Sequence, residues 1–227
     1  GLSPFGIWRP GNPIGVTGLD AWATIYADSR RWLNAGWIDY FAPQLYWSIA
    51  SSGQSFPALL DWWIGENSMA RHVWPGLAAY RVSDGTSSAF AANEIANQIT
   101  MARLRPGSTG HLLYNATATL KRTPTPVAAS VAPLYAERAL VPASPWLDGT
   151  SPSAPTITVD NTTLHITPAA GSTVRWWFVR AHGALGWTSR VHFGTTIDIA
   201  LPGAPDRVLV NAVNAAGNAS SAADWRR

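Results

Sequence analysis

The chain has 227 residues, 47% of them hydrophobic and 13% charged, which suits one large or two small globular domains and argues against disorder. Its net charge is only +3, and the cations are dispersed with no run longer than a pair, so nucleic acid is not an expected partner. Without cysteine there are no disulfides or thiolate metal sites, and no apolar stretch reaches the ~18 residues that span a membrane.

Apolar runs near residues 2–8, 38–47, 73–80 and 110–117 read as strands about 35 residues apart, the length of one βα unit. Between the first two, Leu19, Trp22, Tyr26 and Leu33 share a helical face, with Gly36 as the stop. Pro57 to Ala70 reads as a helix carrying Leu60, Trp63 and Ile64. In the next helix Ile95, Ile99 and Ala102 form the stripe, Glu94 sits in the first turn, and Pro106-Gly107 ends it. A weaker helix is expected over Ala129 to Ala139. Apolar strands alternating with amphipathic helices imply a parallel sheet covered by helices.

Ser144 to Pro155 is rich in Pro, Ser, Thr and Gly and reads as a linker, with the boundary set at 148 and the linker proper over 149–155. From 156 to 227 short β runs recur about every 10 residues without a helical stripe, which describes a β-sandwich. Val210 to Ser220 resembles the last hairpin of fibronectin type III domains. Such a sandwich could bind polymer, pack on the first domain or act as a spacer, and its Trp176, Trp177 and Trp187 suit all three.

The expected fold class is therefore α/β followed by all-β. A complete (β/α)8 barrel needs eight units, and residues 1–148 hold about four. The alternatives are an open four-stranded α/β sheet or half of a TIM-type barrel. Two bare sheet edges beside a face of Trp and Tyr would invite aggregation, which favours the half-barrel. The chain opens at Gly1 rather than Met, inside an expected strand, and reads as a piece of a longer protein. It is expected to pair with a missing N-terminal half-barrel or with itself.

Four strand ends carry related chemistry. They are Phe5-Gly-Ile-Trp-Arg9, Phe41-Ala-Pro-Gln-Leu-Tyr-Trp47, Leu77-Ala-Ala-Tyr-Arg81 and Leu112-Leu-Tyr-Asn115. An aromatic face covers the C–H face of a pyranose while polar neighbours take its hydroxyls, so glycan is the expected ligand. Gln44 and Tyr46 share strand parity and point to one face, with Trp47 at the rim. Trp8, Arg9, Tyr80 and Asn115 complete the candidate substrate-binding set. Arg9 suits either a sugar carboxylate or an upstream aspartate. The helical Trp22, Trp32, Trp62 and Trp63 read as packing.

Together, Ser3-Pro-Phe-Gly-Ile-Trp-Arg9, Tyr26-Ala-Asp-Ser-Arg-Arg-Trp32, Gly36 to Trp47 and Asn93-Glu-Ile-Ala-Asn-Gln98 resemble the C-terminal half of the glycosyl hydrolase-like 10 family of bacterial proteins. The resemblance spans residues 1 to about 148. It implies a TIM-type barrel acting on glycan, with peptidoglycan strands stripped of peptide as a suggested substrate, and an extracytoplasmic location. The family's paired-aspartate motif, Asp-Asp-Tyr-Phe-Tyr-Pro, is missing from these residues.

Glycoside hydrolysis usually needs two carboxyl groups about 5–5.5 Å apart for retention, or about 6.5–9.5 Å apart for inversion. None of the acids is plainly paired at a strand end. Asp28 reads as a mid-helix residue in an ion pair, Asp39 as a strand opener, and Glu94 as a helix-dipole residue. Asp84, in the loop after the third strand, is the one catalytic candidate, and the main carboxylates are expected upstream of Gly1. No metal site or cofactor is expected, because the five His are scattered and no phosphate-cradling glycine loop occurs. The function expected is that of a glycoside hydrolase fragment supplying substrate contacts. The alternatives are a non-catalytic carbohydrate-binding module and a structural or adhesion segment.

Overall fold

In the computed structural model, which describes residues 1–121, 126–184 and 186–227, the first four apolar runs lie side by side and all run parallel. Residues 2–5 bridge to the strand beginning with β1 (Tyr40–Phe41), through Leu2 to Phe41 and Phe5 to Gln44. β1 pairs with β2 (His72–Val73), and β3 (Gly76–Ala78) pairs with β4 (Leu112–Tyr114). A Gln44–Gly76 bridge makes the array continuous.

Helices cover one face of this array. α3 (Phe56–Gly65) contributes Phe56, Leu59, Leu60 and Trp63, and α4 (Glu94–Arg103) contributes Ile95, Ile99 and Ala102. They bury Phe41, Leu45, Val73 and Leu77, so the strands read as apolar runs because the helices demand it. Period-2 alternation then puts Tyr40, Gln44, Tyr46, Trp74 and Tyr114 on the opposite face, where the rings are only partly covered.

The expected helix through Leu19 and Leu33 is instead two short ones, α1 (Ala21–Thr24) and α2 (Ser29–Asn34). Tyr26 adopts φ 54° between them, and Asp20 and Asp28 each accept a backbone N–H three residues on, which starts a new helix twice. Asp28 is thus an N-cap rather than a mid-helix residue. Leu33 is buried, but Leu19, Trp22 and Tyr26 are exposed. Gly36 does end the segment, at φ +69°. The helix expected from Pro57 stops at Gly65, and the last one is α5 (Pro126–Val131) with a 3-10 turn after it.

The chain divides between Leu134 and Tyr135. Among the described residues the second unit has seven strands, all paired antiparallel. β5 (Thr156–Asp160), β6 (Thr163–Thr167) and β9 (Asp198–Ala200) form one sheet. β11 (Ala223–Arg226), β10 (Arg207–Val213), β7 (Trp176–Gly183) and β8 (Gly186–Phe193) form the other. Leu164, Ile166 and Ile199 meet Trp177, Val179, Val208 and Val210 in one core, the arrangement of a two-layer sandwich. Trp177 is fully buried and so serves this core alone. The Ser144–Pro155 stretch does more than link: Ser144, Asp148 and Thr150 hydrogen-bond to the segment from Asn214 to Asn218. Among the described residues no helix is long and apolar enough to cross a membrane.

Candidate functional site

Three tyrosines gather where three neighbouring strands end. Tyr46 stacks on Tyr114 with centroids 5.6 Å apart, and Tyr80 meets both edge-on at 6.1 and 5.9 Å. Tyr114 closes β4, Tyr80 lies in the 3-10 turn after β3, and Tyr46 follows the strand begun by β1. Tyr46 lies close to Gly76: a Cβ there would stand 3.4 Å from its ring. Tyr114 is 53% exposed and Tyr80 37%, so the cluster presents ring surface rather than sealing it. Burial, and secondarily the Tyr114 and Tyr80 phenols, push the Tyr46 phenol up to about 12. It is therefore a neutral hydrogen-bonding group at ordinary pH.

Beside the tyrosines is a cleft of about 340 Å³ lined by Trp47, Ser48, Arg81, Ser88, Phe90 and Glu94. Arg81 sets its shape. Its Nη1 donates to the Tyr46 carbonyl at 2.9 Å, its Nη2 to the Ser88 carbonyl at 2.8 Å, and its guanidinium lies 4.6 Å from the Phe90 ring centre. Glu94 heads α4, as expected, but it also accepts the Ile49 N–H at 2.7 Å and the Gln98 amide at 2.9 Å through Oε1. Gln98 also donates to the Trp47 carbonyl. The loop after Trp47 is thus fixed from α4, and the floor of the cleft is held at both ends.

Trp8 and Arg9 form a second group. Trp8 donates to Asp28 at 3.2 Å, stacks on Trp62 and lies under Arg30. Arg9 pairs with Asp20 at 3.1 Å and lies 4.5 Å from the centre of the Trp22 ring. The aspartate that holds Arg9 is therefore within this chain and not upstream. Trp22 keeps 43% of its surface exposed, so it is not the packing residue its helical position suggests.

The remaining candidates have local duties. Gln44 donates its amide to the Ser3 carbonyl at 3.0 Å and ties the first two strands together. Asn115 accepts the Ala118 N–H and starts the turn after β4. Asp84 accepts the backbone and hydroxyl of Thr86 within its own turn. Tyr114 and Arg81, absent from the candidate set, are the residues that join the expected ones together. Tyr114 was visible in the fourth strand end, one residue before Asn115. Arg81 likewise closed the third strand end, but its task of reaching two carbonyls far apart in sequence is not written in that motif. Among the described residues no group of three or more acidic or His side chains gathers as a metal site.

Residues 1–92 match the family described as Glycosyl hydrolase-like 10. Glycosyl hydrolase YngK of Bacillus subtilis strain 168 is 37% identical over 169 residues, which cover 70% of this chain and 32% of that protein. Glycosyl hydrolase DigH of Escherichia coli strain K12 is 37% identical over 89 residues, covering 37% of this chain and 20% of that protein. The chain thus spans a third or less of the length of these curated relatives. The resemblance carried by the strand-end motifs holds for the segment that contains Tyr46, Trp47, Tyr80 and Arg81.

Proposed function

We propose, from the premise that residues 1–92 are a portion of a glycosyl hydrolase-like 10 protein, that this chain supplies glycan-binding subsites to a glycoside hydrolase. The observation that carries the reading is the exposed Tyr46–Tyr80–Tyr114 cluster beside the Trp47–Arg81 cleft, at the C-terminal ends of parallel strands. Strand C-termini are where parallel α/β folds place their ligands. The first unit reads as half of a TIM-type barrel. Its uncovered Tyr and Trp face receives either the other half-barrel or a second copy. The second unit reads as a fibronectin III-like sandwich.

Catalysis in this reading uses carboxylates outside these residues. Each of the seven acids among residues 1–134 already meets a partner: Asp20 holds Arg9, Asp61 holds Arg105, Glu66 holds Arg30, and Asp28, Asp39, Asp84 and Glu94 are likewise engaged. One external carboxyl would protonate the glycosidic oxygen and the other act as base or nucleophile. The substrate favoured is the peptidoglycan glycan strand in an extracytoplasmic setting. That every local acid is engaged also favours a second reading, a carbohydrate-binding element without catalysis.

Titration with glycan strands freed of peptide tests the first claim. Tyr46→Ala and Tyr114→Ala should each weaken binding about tenfold, the effect of removing a central aromatic contact. Unchanged affinity in both folded variants overturns it. New reducing ends from the longer protein decide between the hydrolase and the binding element.

A further inference from the structure

Glu94 uses one of its two carboxylate oxygens to hold the protein together. Oε1 accepts both the Ile49 N–H at 2.7 Å and the Gln98 amide at 2.9 Å, and among the described residues no donor reaches Oε2. That division is fixed from behind. Gln98 is fully buried, and its Nε2 also donates to the Trp47 carbonyl at 3.0 Å. Turning its amide round would set its own oxygen against two acceptors. The carboxylate is therefore held by one edge. Glu94 lines the cleft beside the tyrosines, and its Oε2 is not sealed from solvent.

The same cleft holds a donor in the same condition. The Trp47 indole N–H meets no acceptor among the described residues, and it too keeps contact with solvent. The hydroxyls of Ser48 and Ser51, on the cleft's rim, likewise have no partner among the described residues. Arg81 differs, because both its terminal nitrogens are turned to protein carbonyls. One concave volume thus brings together an unpaired carboxylate oxygen, an unpaired indole N–H and two hydroxyls.

We infer that Glu94 is a specificity-determining residue of the glycan site: its Oε2 accepts hydroxyl protons from one sugar unit seated in the cleft, and the Trp47 N–H donates to an oxygen of the same unit. This rests on the glycan reading of that site. A sugar hydroxyl both donates and accepts, so hydroxyls of one ring can meet both groups, whereas a lone carbonyl meets only the indole. The cleft, at about 340 Å³, is of small-ligand size. A hydrogen bond to a carboxylate is roughly twice as strong as a neutral one, so the acceptor sets the preference. A sugar with free hydroxyls is selected over one whose hydroxyls are esterified. The ester removes the proton and sets a carbonyl oxygen against the carboxylate.

Calorimetric titration of the full chain with glycan strands freed of peptide, and with the same strands after O-acetylation of their hydroxyls, tests this. The unmodified chain should prefer the free strands. Glu94→Gln keeps an oxygen for the Ile49 and Gln98 donors and turns the cleft-side atom from acceptor to donor. It should bind free strands about tenfold more weakly and lose most of the preference. Trp47→Phe keeps a ring and removes the N–H, and should also weaken free-strand binding severalfold. Free-strand affinity unchanged in both variants, but lowered in Tyr46→Ala, overturns the role of Glu94 and leaves the tyrosine site standing. An equal loss for both kinds of strand in Glu94→Gln, with the preference intact, overturns it too, since Glu94 would then act only through the loop it anchors. No binding of either strand by the unmodified chain overturns this inference and the glycan reading together.

Discussion

Tyr46 is the residue on which the first site turns, because it touches both other tyrosines and sends its carbonyl to Arg81. Its phenol loses solvent on burial, and ionising it would place a charge against two more phenols. That is why its ionisation moves up to about 12 rather than staying near 10. The sign of the linked stability follows. The folded chain favours the neutral phenol, so below pH 10 this contribution is fully present, and it is lost as pH climbs from 10 toward about 12. Ultraviolet difference titration should therefore show one tyrosine ionising last, near pH 12, and Tyr46→Phe should remove that step alone. If the step survives in Tyr46→Phe, burial within this cluster is not its cause. The tyrosines were half legible in the sequence. Two of the three stood out as strand-end aromatics, but Tyr114 follows two leucines and its neighbour Asn115 drew the functional reading. What decided between them was facing, since Tyr114 shares a face with Tyr46 while Asn115 turns away to cap a helical turn.

Elements are joined to one another by single contacts that strand and helix patterns do not reveal. Trp63 of α3 is completely buried and donates its indole N–H to the Gly6 carbonyl at 2.8 Å, pinning the first strand to the helix behind it. Gly6 itself lies so close to the second strand that a Cβ would stand 2.3 Å from the Gln44 carbonyl oxygen. The two positions predict different losses. Trp63→Phe keeps most of the volume but leaves a buried carbonyl without a donor, about 1–3 kcal/mol in urea denaturation. Gly6→Ala forces backbone from backbone and should cost more than Trp63→Phe. Equal stability of Gly6→Ala and the unmodified chain would show that the strands are not in contact there. The stripes of α3 and α4 were legible because burial on one side leaves a 3.6-residue period in the sequence. The Leu19 to Leu33 helix was misread for the complementary reason. Its apolar spacing runs across Tyr26 at φ 54° and across two capping aspartates, and a cap is a local hydrogen bond that periodicity does not contain.

At the scale of the whole molecule the described residues form two cores, one from Ile7 to Val131 and one from Leu164 to Ala212, so each unit owns its hydrophobic stabilisation. The composition shift near residue 148 marked the change of chemistry but not the edge of the second unit. Polar, Pro-rich sequence looks like a tether, yet Ser144 donates its N–H to the Ala216 carbonyl at 2.7 Å and the Asn214 side chain donates to Asp148 and Thr150 at 3.1 and 2.8 Å. Asn214 and Asn218 are 9% and 8% exposed, so their amides depend on that segment for partners. Gly217 admits it, because a Cβ there would come within 3.0 Å of the Pro142 carbonyl, and its φ of +84° favours glycine besides. A polypeptide of residues 156–227 should therefore be less stable than one of residues 135–227, by about 2–4 kcal/mol if each of several lost hydrogen bonds contributes about 1. Matching denaturation midpoints for the two would mean that the stretch before Pro155 is a tether after all, and that the sandwich is complete from Thr156 onward.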